Sequence, residues 1–88
     1  MKEGEEVNKK QFFKNYITEN IDNAYRFAYT YAKNKEDAED IVSESVIKAL
    51  KSIDSLRNKA KVKPWFYRII SNTAIDFMNK RNKIIKID

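Results

Sequence analysis

Residues 57–81 read RNKAKVKPWFYRIISNTAIDFMNKR. From Trp65 onward the apolar positions step by three and four: Trp65, Phe66, Ile69, Ile70, Thr73, Ala74, Phe77 and Met78. That is the period of a helix burying one face. Pro64 suits the first turn of such a helix, where its missing N–H leaves no bond unmade. The pattern predicts a helix from Pro64 to near Arg81, approached by a charged loop over residues 54–63. The same period runs upstream through Ala38, Ile41, Val42, Ser45, Val46, Ala49, Leu50 and Ile53, predicting a helix over about Lys35–Ser52. Asn34 fits its N-cap, with Asp37 three residues on in the capping-box position. Before that, Phe12, Phe13, Tyr16, Ile17, Ile21, Ala24, Phe27, Ala28 and Tyr31 predict helix from about Lys9 to Lys33, split or bent at the weak stretch Asn20–Asn23.

Three amphipathic helices with short connections define an all-α class, a small bundle of three main helices. Residues 9–83 are expected to form the domain, residues 1–8 a flexible N-terminus, and residues 84–88 a tail within the ambiguous KIIKID. At 88 residues there is room for one domain with a small core.

Composition narrows the chemistry. The chain has neither cysteine nor histidine. That removes thiolate and imidazole metal sites and the commonest general base, so no metal, cofactor or catalytic set is expected. The single Gly4 and single Pro64 leave no Gly-rich phosphate loop. No run approaches a membrane span and no signal peptide is visible, so a cytoplasmic protein without membrane contact is expected.

Charge is divided along the chain. Residues 57–88 hold nine Lys/Arg against two acids, a net of +7; residues 1–56 hold nine against eleven, a net of −2. Positive charge gathered at one end, with aromatics among it, points to an anionic polymer. Arg57, Lys59, Lys61 and Lys63 lead into a helix carrying Arg68, Lys80 and Arg81, which predicts a continuous basic ridge for phosphates. Asn72 flanks the apolar stripe, where its amide can read a base edge or simply face water. Trp65 and Phe66 start the core stripe, whereas Tyr67 falls off it, available to stack on a base or to face solvent. On the second helix Asp37, Asp40 and Glu44 are expected to share the face away from the apolar stripe, with Ile47 exposed beside them. A solvated face is the bland alternative, and the helix dipole accounts for Glu36 and Asp37. An apolar residue beside an acidic row otherwise suits a protein partner with basic residues.

Two motifs carry a family resemblance. Asp-Ala-Glu-Asp-Ile-Val at 37–42, with Glu44 following, resembles the DAED-L-V-Q-E helix of bacterial sigma factors. Trp65-Phe-Tyr-Arg-Ile-Ile-Ser-Asn72-Thr-Ala-Ile-Asp76 resembles their W-L-Y-R-I-A-x-N-x-A-x-D signature. Present in order and at the usual separation, the pair resembles region 2 of the extracytoplasmic-function (ECF) branch of the sigma-70 family, over roughly residues 12–83. The resemblance implies two partners. The acidic helix, with Asp37, Asp40, Ser43, Glu44 and Ile47, would bind the clamp coiled coil of the largest subunit of RNA polymerase. The loop and following helix would engage the single-stranded minus-ten element of promoter DNA: Arg57, Asn58, Lys59, Lys61 and Lys63 from the loop, Arg68, Lys80 and Arg81 on phosphates, and Asn72 on a base. A base flipped into a pocket framed by residues 58–63 and an anti-sigma factor as a further partner are also implied. The chain departs from the pattern at Ser43, where the family has Gln, at Val62, where many relatives have Phe, and at Pro64 before the Trp. It lacks the second helical domain of a full sigma factor, so an excised region 2 is expected. The rivals are a helix-turn-helix operator binder, which needs a short turn between two helices, and a helical protein-interaction module whose basic end only solvates.

Overall fold

Helix α1 spans Lys2–Ala32, α2 Lys35–Lys51 and α3 Val62–Ile87. This computed structural model describes the backbone of residues 2–87 and the side chains of residues 8–81. The flexibility expected for residues 1–8 and the tail expected at 84–88 fall largely outside the described side chains. The three helices pack pairwise, and no strand occurs among the described residues.

α1 is one helix bent at Asn20, whose backbone leaves helical values at φ −118° and ψ 17°. The Asn20 side-chain amide donates to the Tyr16 carbonyl at 2.9 Å, entering the ladder of backbone bonds, a known cause of kinks. α1 ends at Lys33, which takes a left-handed φ of 65° while its N–H donates to the Tyr29 carbonyl at 2.8 Å. Glycine is the usual residue there, and a lysine costs about 1 kcal/mol. Asn34 then caps α2, accepting from the Asp37 N–H at 2.9 Å.

The core takes Phe13, Ala24, Ala28 and Ala32 from α1, Ala38, Ile41, Val42 and Ala49 from α2, and Phe66, Ile70 and Ala74 from α3. Alanines repeating every four residues along α1 let its neighbours approach closely. At the other end Phe66 meets Phe13 edge-on at 5.0 Å, with Tyr16 and Trp65 around the pair. Fully burying such an aromatic is worth about 3 kcal/mol. Ser45 and Thr73 sit fully buried in the stripes; the Ser45 hydroxyl donates to the Ile41 carbonyl at 2.6 Å. No buried side-chain polar atom lacks a partner among the described residues.

The linker is more ordered than a charged loop. It holds two 3-10 turns, Ile53–Ser55 and Lys59–Lys61, and α3 begins at Val62, two residues before Pro64. Ile53, Leu56 and Val62 are buried, pinning it to the core. Val62 is therefore a packing residue at the start of α3. Ten residues separate α2 from α3, where a helix-turn-helix has a short turn.

Candidate protein and nucleic-acid interfaces

α2 and α3 lie side by side, and successive stretches of α3 border different surfaces. Toward the end of α3, a groove of about 400 Å³ is lined by Asp40, Ser43, Glu44 and Ile47 of α2 and by Asp76, Phe77 and Lys80 of α3. Ile47 is 54% exposed, as its position predicts. The exposed acids of the groove are therefore Asp40, Glu44 and Asp76, the last supplied by an otherwise basic helix.

Asp37 does not join them. It is 6% exposed, and its carboxylate accepts from the Arg81 guanidinium at 2.5 Å and from the Asn34 amide at 2.8 Å. The expectation that it shares the outward face with Asp40 and Glu44 is corrected. Asp37 stands one turn before Ile41, about 40° from it around the helix, and so borders the buried stripe.

The same pair breaks the expected basic ridge. Arg81 is engaged with Asp37, and Lys80 lines the acidic groove. Both lie about 18 Å along the helix from Arg68. The lysines at 59, 61 and 63 also diverge. Lys59 reaches over the Phe12 ring of α1, 5.5 Å from its centroid, and Lys63 over the Tyr67 ring at 5.8 Å. A 3-10 turn advances about 120° per residue, so alternate residues cannot share a face. Asn58 starts this turn by accepting from the Ala60 N–H at 3.0 Å, and Arg57 is exposed beside it. Tyr67 is half-buried against Phe27, with ring centroids 4.7 Å apart.

Lys61 does meet Arg68 and Asn72. With Ser55, Trp65 and Ile69 they line a cleft of about 470 Å³. Trp65 forms part of its wall, its indole N–H donating to the Ser55 hydroxyl at 2.9 Å while Ser55 donates to the Ser52 carbonyl at 2.7 Å. These bonds tie the first 3-10 turn to α3 and hold the cleft's shape. The cleft thus combines two cations from separate elements, an exposed amide and an aromatic edge, a set suited to a single-stranded nucleic acid.

Lys48 and Lys51 carry no signal in the sequence, because the end of α2 lies in the part of the chain with net negative charge. They line a second cleft with Asn72 and Thr73. Beside the Phe13–Phe66 pair, burial raises the Tyr16 hydroxyl pKa above its ordinary value, and the neighbouring Tyr67 adds to the shift. No group of side chains fit to hold a metal ion occurs among the described residues, and no described helix is long and apolar enough to cross a membrane.

Comparison with known proteins identifies the family. The model of the family described as Sigma-70 region 2 matches residues 16–84. RNA polymerase sigma factor SigV of Bacillus subtilis is 49% identical over 72 residues, which cover 82% of this chain and 43% of that protein. ECF RNA polymerase sigma factors SigM and SigW of the same organism are 34% and 36% identical over 67 residues, 76% of this chain and 40% and 36% of theirs. The chain thus spans less than half the length of these relatives. No solved structure matches it significantly. With both motifs lying on α2 and α3 inside the matched span, the chain belongs to the Sigma-70 region 2 family, as a region 2 domain of the ECF group.

Proposed function

We propose that the chain serves transcription initiation as the promoter-opening domain of a sigma factor, docking on RNA polymerase through the α2 groove and holding minus-ten DNA in the Lys61–Arg68–Asn72 cleft. The observation that carries this reading is the convergence of those three side chains, from the linker and α3, beside the edge of Trp65. Unstacking a base from duplex DNA costs a few kcal/mol. A cleft that accepts the extruded base, with cations tracking its strand, offsets that cost. Asn72 offers a donor and an acceptor to a base edge, while Lys61 and Arg68 take phosphates. No bond is made or broken; opening draws on binding energy.

Asp40, Glu44 and Asp76, with Ile47 and Phe77 between them, suit the basic and apolar residues of a coiled coil, the proposed clamp element of polymerase. Asp37, paired with the half-exposed Arg81, acts here as a support between α2 and α3. An anti-sigma protein would compete by covering either surface, and the setting is the cytoplasm, where polymerase and promoter meet.

Direct binding tests this reading. Asp40→Lys should weaken capture by the clamp coiled coil without lowering the melting temperature. Asn72→Ala should weaken binding of a single-stranded minus-ten oligonucleotide with little change in its salt dependence. Lys61→Ala should flatten the plot of log K against log salt by about 0.7, one phosphate contact on a single strand. Variants that alter only thermal stability would sink these assignments.

A further inference from the structure

We propose that Lys80 is a specificity-determining residue of the α2–α3 groove. It takes a carboxylate of the protein partner, so the groove selects a coiled coil that carries an acid beside its basic residues. This rests on the polymerase reading of the groove above.

Two contacts fix the register of the helices. Asp37 of α2 pairs with Arg81 of α3, and Lys48 of α2 with Thr73 of α3. Positions therefore climb along α2 as they fall along α3. That register sets Asp40 across from Lys80 and Glu44 across from Asp76. Each step is four residues, about 6 Å along a helix. The groove is polarised as a result. Toward Ile47, Glu44 and Asp76 stand opposite each other as two like charges. Toward the end of α3, Lys80 faces Asp40, with Arg81 next to it on Asp37.

Lys80 is exposed, and among the described residues no carboxylate lies within ion-pairing distance of it. Helix-dipole stabilisation does not account for it either. α3 runs on to Ile87, and the dipole acts only within the last turn. The first cleft is remote as well, since Arg68 lies about 18 Å back along α3. A lysine in this groove repels the same cations that Asp40, Glu44 and Asp76 attract, and is favourable only toward an acid. Such a mixed surface rejects a uniformly basic segment and admits a matched one in a single orientation. An acid and a base four residues apart on one face of a partner helix match Asp76 and Lys80 at the same spacing.

Capture of the whole chain by the isolated clamp coiled coil tests this. Lys80→Gln should weaken capture about threefold and Lys80→Glu about tenfold, although both make the groove more acidic. Lys80→Arg keeps the charge and should stay within about twofold. Reversing the acids of the coiled coil to lysine, one at a time, should find one that restores capture of the Lys80→Glu chain. Tighter or unchanged capture by Lys80→Glu overturns the proposal and leaves a groove that only attracts cations. An equal loss in Lys80→Arg overturns it too, by tracing the effect to packing, as does the failure of every reversed acid to restore capture. A loss confined to a single-stranded DNA oligonucleotide, with capture intact, assigns Lys80 to phosphates instead. In each of those cases Asp40→Lys still weakens capture; if Asp40→Lys is silent as well, the groove reading itself falls.

Discussion

The groove beside the last turns of α3 and the clefts nearer its start share that helix but are held differently. In the groove, Asp40, Glu44, Ile47 and Asp76 are side chains projecting from finished helices. Their placement needs only helical phase and the packing of α2 on α3. The first cleft is assembled across a linker. Its shape depends on the Trp65–Ser55 bond, on the second 3-10 turn that aims Lys61, and on Leu56 and Val62 buried beneath. A charged surface on a helix face survives small shifts, whereas a cleft joining three elements is only as well formed as the turns between them.

Substitutions can break or sharpen this contrast. The largest effect is expected at the aromatic cluster that supports both sides. Phe66→Ala should cost about 3–5 kcal/mol in urea denaturation, enough to lose groove and clefts together in so small a domain. A loss under about 1 kcal/mol, the range of a surface change, would mean that the cluster does not hold the bundle. Next, Asp37→Ala removes the carboxylate shared by Asn34 and Arg81 and should cost about 1–2 kcal/mol. Asp40→Ala should stay within about 0.5 kcal/mol, so equal losses at the two would erase the distinction between support and surface. Trp65→Phe keeps the ring packing but deletes the bond to Ser55. About 1 kcal/mol of stability should go, with oligonucleotide affinity falling and coiled-coil capture unchanged; parallel losses in both assays would show that the cleft is not separately held. Smallest is Lys33→Gly, which relieves the left-handed residue between α1 and α2 and should raise stability by up to about 1 kcal/mol, leaving both surfaces as they are. A decrease would place the cost of Lys33 elsewhere.

The legible part of the fold was periodic. The stripes of α2 and α3 are written in residues three and four apart, the Asn34 cap in one residue type, and the bend of α1 in the polar stretch at Asn20–Asn23. The exposure of Ile47 and the burial of Phe66 followed from helical phase alone. Charge was less legible, because a charged side chain has no period and goes where a partner is. Asp37 borders a stripe in sequence, and only the end of α3 brings Arg81 to it. Lys59, Lys61 and Lys63 look like one row but point to Phe12, the cleft and Tyr67.

By itself the sequence determined an all-α chain of three helices, and two motifs that resemble ECF sigma region 2, because local phase and residue identity suffice for both. Tertiary structure alone decided which charges are surface and which are support. It set Asp76 beside Asp40 and Glu44, tied the buried Asp37 to the half-exposed Arg81, and carried Lys48 and Lys51 to Asn72. Those pairings join residues from 21 to 44 positions apart, and their energies exist only once packing has brought the helices together.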